Sequence, residues 1–234
     1  HGAGDRMALA SVLPAAPTGP ISEERFVPEI SEIGERHPVT RPMLAGEDEW
    51  GPWFRRIGAR PLSGETVLQA PNGDPLLTLS REGQGRAAIL LSDQAWLWAR
   101  GYDGGGPHDE LFRRVAHWLM GEPELDEERL SARVVNGELE VTRNTLASEV
   151  PELEIQWPSG AQDRVEMNES GLGVYTERRT AREQGLVRLR SGDLTTVTAS
   201  GPLNPLEYRD LRPNPDGFAN LVDTSEGGVF TLGD

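Results

Sequence analysis

Cysteine and lysine are both absent from this chain, so all 23 of its cationic residues other than histidine are arginines. Without cysteine it contains no disulfide, no thiolate metal site and no cysteine nucleophile, although that absence does not identify a compartment. Without lysine it has neither a Schiff-base amine nor the lysine that a GxxxxGK[ST] phosphate loop needs. Histidine is scarce too: four residues, with no HxH or HxxxH spacing, and the Asp-Gly segments lack the alternating acidic positions of a calcium loop. No metal and no cofactor is expected. Long apolar runs are missing as well, since the longest aliphatic stretch, Ala87 to Leu91, is far too short to span a bilayer. The sequence opens on His1 and shows no charged leader with an apolar core, so it reads as a soluble piece of something larger.

What is abundant is acid. The net charge is -15, with 12 basic against 18 acidic residues up to Glu124 and 11 against 20 beyond it. Neither half has the basic excess that neutralises nucleic-acid phosphates or an anionic lipid surface, so nucleic acid is not an expected partner. At 36% hydrophobic residues the chain has enough apolar material for real cores.

The stretch from His1 to about Pro42, rich in Pro, Gly and Ala, predicts extended, irregular chain lying on a neighbour. In "EDEWGPWFRRI", Trp50, Trp53, Phe54 and Ile57 fall on a helical stripe, which Gly51 and Pro52 limit to a short or late-starting helix. "PLLTLS" and "RAAILLS", separated by "REGQG", predict neighbouring strands joined by a tight loop. The second of these is apolar on consecutive positions, as in a strand buried on both faces. A helix follows from about Pro107 to Met120, with Asp109 and Glu110 in its first turn and Leu111, Val115, Trp118 and Leu119 as its apolar stripe. Past Glu122 the pattern becomes short alternating runs, clearest in "ARVVNGELEV" with Asn136-Gly137 as a two-residue hairpin loop, at the spacing of a β-sandwich. The acidic "GEPELDEE" reads as a linker. The last stretch predicts a strand, a helix from about Pro215 to Thr224, a Gly-Gly turn and a final strand.

Three glycines, Gly104, Gly105 and Gly106, precede the predicted helix. A GxGxxG fingerprint fails because Asp109 stands where the third glycine belongs, and Asp109 and Glu110 repel a phosphate where a helix N-terminus attracts one. The stretch therefore reads as a helix-starting turn. Ser92-Asp93 ends the presumed buried strand, at the carboxyl edge where α/β sites lie. No GxSxG elbow surrounds it, and a strand-end Ser-Asp also serves as a self-bonded turn. His108 and Glu110 stand two apart, an arrangement that becomes a triad only with a nucleophile. Trp98, Tyr102 and Asp103 with the three glycines form a candidate ligand rim for a glycan or peptide, Trp98 being the expected exposed ring and Trp53, Trp96 and Trp118 the expected core.

"WGPWFRRIGA", "LLSDQAWLWARGYDGGGPH" and "NPLEYRDLRPNPDGFANLVDTSEGGVF" resemble the glutamine amidotransferase-like region of large bacterial membrane proteins, a grouping that includes proteins described as von Willebrand factor A type. The resemblance implies an α/β, flavodoxin-like sheet of class I amidotransferase type followed by an all-β immunoglobulin-like sandwich. It divides the chain into residues 1–124, 125–203 and 204–234. It also implies that the chain begins mid-domain, near "HGAGD", and lies outside the cytoplasm as the periplasmic portion of an inner-membrane protein, touching the membrane only through segments elsewhere.

A fold family records a shape and not an activity. The functional expectation is a non-catalytic interaction or scaffold region, a pseudoenzyme whose partners are proteins or other domains of the same membrane protein. Two alternatives stand beside it. One is an amidohydrolase or amidotransferase using His108 and Glu110 with a nucleophile outside this chain, and the other is a cell-envelope glycan or peptide binder.

Overall fold

The computed structural model describes residues 12–46 and 49–201, together with 222, 224, 225 and 227. His1–Ser200 is one compact unit and Gly201–Asp234 a second. The strand-helix-strand expected over 204–234 lies outside the described residues apart from those four, as does the glycine turn near "HGAGD".

All strand pairing in the first unit is antiparallel. Ala15–Ser22 (β1) pairs with Arg56–Pro61 (β3) as a two-stranded ribbon. A four-stranded sheet follows in the order β2-β4-β5-β6, built from Glu29–Ile30, Glu65–Gln69, Pro75–Glu82 and Gly85–Leu90. The α/β flavodoxin-like sheet expected from the resemblance is not present among the described residues. Its absence has a plain cause in connectivity: β5 and β6 are joined by Gly83-Gln84 alone, with Glu82 opposite Gly85, and a two-residue loop can only reverse the chain. The helix after β6 does not lead back into that sheet as a crossover would. Its next strand belongs to the second half of the unit.

Burial within this sheet is also the reverse of the sequence expectation. Pro75 to Ser80 of β5 are all buried because β5 is an interior strand, whereas the aliphatic run of β6 is half-buried at an edge. The three α-helices among the described residues of the first unit are short. They are Glu32–Arg36 (α1), Trp96–Ala99 (α2) and His108–Leu119 (α3). α3 lies within a residue of its expected bounds, packing Leu111, Val115 and Trp118 into the core while Leu119 stays exposed.

No helix forms over the Trp50 stripe. Trp53 instead makes an isolated antiparallel bridge to Phe26, with both backbone bonds at 2.8–2.9 Å. Pro52 has no N–H to give a helix and biases Gly51 away from helical geometry, and the Gly51 N–H is taken by the Gly105 carbonyl at 2.6 Å. The N-terminal stretch likewise does more than lie on a neighbour. It supplies α1 and the buried Phe26, His37 and Val39.

The second half consists of two four-stranded antiparallel sheets sharing one core. In one, Asn168–Gly171 (β11), Val174–Thr180 (β12), Glu138–Asn144 (β8) and Arg129–Val135 (β7) lie in that order. In the other the order is Gln162–Val165 (β10), Leu153–Gln156 (β9), Gly185–Ser191 (β13) and Leu194–Ser200 (β14). Alternation decides which side chains face inward: Leu139 and Val141 of β8 meet Leu153, Ile155, Val187 and Leu189 of the opposite sheet. Asn136 and Gly137 form the β7-β8 turn with positive φ at both, +52° and +81°, the geometry that an Asn-Gly loop favours.

Candidate functional site

Among the described residues no hydrogen bond or ion pair joins the candidate residues His108, Glu110, Ser92 and Asp93 to one another. On α3, His108 and Glu110 stand two positions apart and so point to different sides of the helix. His108 Nδ1 is bonded to Asp109 Oδ1 at 2.7 Å and its ring packs on Phe112. Glu110 is clamped by Arg113 at 2.7 Å and Arg114 at 3.2 Å, and these guanidinium hydrogen bonds, Arg113 foremost, outweigh its slight desolvation and hold its carboxyl below the usual range. Ser92 Oγ donates to the Arg55 carbonyl at 2.7 Å and accepts from the Gln94 N–H, and Asp93 pairs with Arg55 at 2.8 Å. This is the self-bonded turn at a strand end. The presumed parallel carboxyl edge around it is absent, because the sheet is antiparallel.

The ligand rim is also redistributed. Trp98 is core, with 3% of its surface exposed, while Trp96 is 55% exposed, the reverse of the sequence expectation. Trp98 is drawn inward by a bond from its Nε1 to the Gly51 carbonyl at 2.8 Å, and its ring lies against Trp50 and Trp53. Gly106 makes this possible, since a Cβ there would come within 2.4 Å of the Trp98 ring. Tyr102 and Asp103 remain exposed, Tyr102 packing edge-on to Phe54 and Asp103 pairing with Arg25 at 3.1 Å. Gly104 and Gly105 adopt positive φ, as does Asp103, so the glycine stretch is a tight turn packed beneath residues 49–51.

The strongest electrostatic perturbation sits elsewhere, at Glu127 in what reads from sequence as an acidic linker. Its Oε1 accepts from Trp118 Nε1 at 2.8 Å and from His37 Nε2 at 3.3 Å, and its Oε2 accepts from Arg81 Nε at 3.0 Å. His37 Nδ1 accepts the Val39 N–H at 3.1 Å, which leaves the ring proton on Nε2, aimed at the carboxylate. Burial pushes the Glu127 carboxyl up, but the hydrogen bonds from His37 and Arg81 outweigh it and bring its pKa down to about 2. Arg86 completes the cluster by binding Asp126 and the Trp118 carbonyl, with its guanidinium 5.1 Å from the Trp118 ring centre. Nothing in sequence spacing joins residues 37, 81, 118 and 127. The available signal was acid density in "ELDEE", which has two readings until the arginines are seen opposite it.

Next to this cluster a cleft of about 570 Å³ opens between Gly64, Leu79, Arg81, Glu127, Glu128 and Leu146. It lies where the first sheet meets the sandwich. Arg36 and Arg41 reach across the same junction to the carbonyls of Ala147 and Leu172. Among the described residues no cluster of three or more His, Asp or Glu side chains is arranged to hold a metal ion. No helix among them is long and apolar enough to cross a membrane.

No protein-family model matches the chain, and no curated protein matches it. Among solved structures, a cytoplasmic protein from Salmonella typhimurium is similar at 23% identity and a TM-score of 0.38, over 48% of this chain and 45% of that one. The beta-galactosidase from Rahnella sp. R3 is similar at 12% identity and a TM-score of 0.34, over 73% of this chain and 25% of that one. This chain therefore spans less than half the length of either protein.

Proposed function

We propose that this chain is a non-catalytic interaction and spacer module, the extracytoplasmic portion of a bacterial inner-membrane protein of the kind its sequence resembles. The observation that carries this reading is the use made of Glu127. The carboxylate with the most depressed pKa among the described residues is saturated by Trp118, His37 and Arg81, which come from three separate elements. A general acid or base needs a free position and a pKa near its working pH; this one has neither. A group held in this way joins the first sheet to the sandwich. His108 and Glu110 are likewise occupied by neighbours within their own helix, and Ser92 by the Arg55 carbonyl and the Gln94 N–H.

Ammonia release from L-glutamine and calorimetric titration with it, on the chain and on His108→Ala, test this reading. The expected result is no ammonia, no heat from either protein and a single cooperative thermal transition for the first unit. Heat from the parent chain that vanishes in His108→Ala would overturn the proposal in favour of an amidotransferase-type pocket. Two separate thermal transitions within residues 12–200 would overturn the rigid spacer.

A further inference from the structure

The two sheets of the sandwich treat the arginines on their outer faces differently. On the β11-β12-β8-β7 sheet, Arg133 and Arg178 both close onto Glu140, at 2.7 and 2.9 Å, so each of these two cations has a carboxylate partner. On the β10-β9-β13-β14 sheet, Arg164 pairs with Glu154 at 3.0 Å, but Arg190 bonds only the Gly192 carbonyl and Arg188 has no hydrogen bond or ion pair among the described residues. Arg188 and Arg190 thus form no ion pair among the described residues of a chain whose net charge is -15, the carboxylate opposite Arg190, Glu154, being engaged by Arg164.

Their placement follows from the strand. Arg188 and Arg190 are alternate residues of β13, so both project outward, about 7 Å apart along the strand. Leu186 precedes them on the same face and is 63% exposed, and Val197, directly opposite Arg188 on β14, is 54% exposed. These are among the most exposed large aliphatic side chains of the described residues. Arg164, Arg188 and Arg190, against the two carboxylates Glu154 and Asp163, border a hollow of about 400 Å³ across the face. Unpaired cations beside exposed aliphatics on a flat β-face make a surface with both charge and apolar area to offer.

We infer that this face binds an extended acidic peptide segment whose carboxylates fall on alternate residues. Such a strand repeats its side chains at the same spacing as Arg188 and Arg190, which allows both guanidiniums to be engaged at once. Its uncharged residues rest on Val197 and Leu186. This deepens the interaction-module reading and relies on it for its biological meaning, by naming the partner's chemistry.

The test is fluorescence anisotropy with a labelled alternating Glu-Thr octapeptide, using the full chain. Saturable binding is expected, weakening as salt is raised, absent for the Gln-Thr octapeptide and reduced roughly tenfold or more by Arg188→Glu with Arg190→Glu. Arg133→Glu with Arg178→Glu, on the opposite sheet, is expected to leave binding unchanged. Circular dichroism confirms that each variant is folded. No saturable binding, equal binding of the Gln-Thr peptide, or equal loss in both double variants would overturn the inference. So would binding of dextran sulfate in place of the peptide, which would make the face a site for sulfated glycan. Peptide binding alongside glutamine turnover would sink the non-catalytic reading while leaving this site intact.

Discussion

Trp118, in the last turn of α3, and Glu127, just before β7, meet through an indole N–H to carboxylate bond of 2.8 Å. The bond ties the helix to the start of the sandwich. Because Glu127 has a folded pKa of about 2 against an ordinary 4.5, it stabilises the fold fully above about pH 4.5, and that contribution is lost as pH falls through 2. Allowing for its partial solvent contact, the contribution is about 2 kcal/mol. Chemical denaturation of the chain from pH 7 to pH 2 is expected to show falling stability across this window. Glu127→Gln should be less stable at pH 7 and should show a shallower acid dependence. An unchanged acid slope in that variant would mean other carboxylates dominate.

Exchanging the Trp118 indole for a phenyl ring removes the donor to Glu127 together with part of a buried ring that lies under Arg86. Trp118→Phe keeps most of the ring volume and is expected to cost about 2 kcal/mol, the usual scale for a hydrogen bond to a charged group. Combined with Glu127→Gln it should cost less than the two single losses together, since both remove the same contact. Strict additivity in a urea-denaturation cycle would show that the two side chains do not act as a pair.

Gly106 is expected to be intolerant for a reason of space and not of dihedral angle. An added Cβ meets the Trp98 ring at 2.4 Å, and Trp98 is held in place by its bond to Gly51. Gly106→Ala should therefore destabilise by about 2 kcal/mol and shift the tryptophan emission to the red as the Trp98 pocket opens to water. Gly171→Ala, where an added Cβ meets nothing within 4 Å, is the control and should change stability by no more than about 0.5 kcal/mol. Equal effects at the two positions would refute the packing argument.

Local features of the chain were readable from sequence where one short-range rule decided them. The Asn136-Gly137 turn, the β5-β6 pair and helix α3 depend on neighbours a few residues apart, and their signals point one way. Sheet architecture was not readable, because the consecutive apolar residues of β6 suit a buried parallel strand as well as a half-buried antiparallel edge. The Trp50-Trp53-Phe54 stripe misled for a similar reason, its helical spacing being overruled by Gly51-Pro52 and by the bridge to Phe26. Trp96 and Trp98 exchanged places because the hydrogen bond that buries Trp98 comes from 47 residues away. The Glu127 cluster is entirely long-range, and no spacing of His37 or Arg81 announces it.

Arg143 poses the last question, whether a buried guanidinium stabilises or merely specifies. It lies on β8, and its Nη1 donates to the carbonyl of Ser191 at 2.5 Å and to the Ser191 hydroxyl at 2.9 Å, so it links one sheet of the sandwich to the other. Its Nη2 reaches Glu128 at 3.4 Å, and Glu128 in turn accepts from Thr145 and from the Leu146 N–H at 3.1 Å. Its Nε is buried without a partner, a cost carried by the same residue. Arg143→Ala removes the bonds and leaves a void, and should cost about 4 kcal/mol. Arg143→Met fills the space but leaves the Ser191 carbonyl without its donor, and should cost about 2 kcal/mol. Thermal unfolding of both variants decides between the two roles. If Met matches or exceeds the parent, the arginine fixes the register of the two sheets without stabilising them. The expected order, parent above Met above Ala, would assign its contribution to hydrogen bonding and volume together.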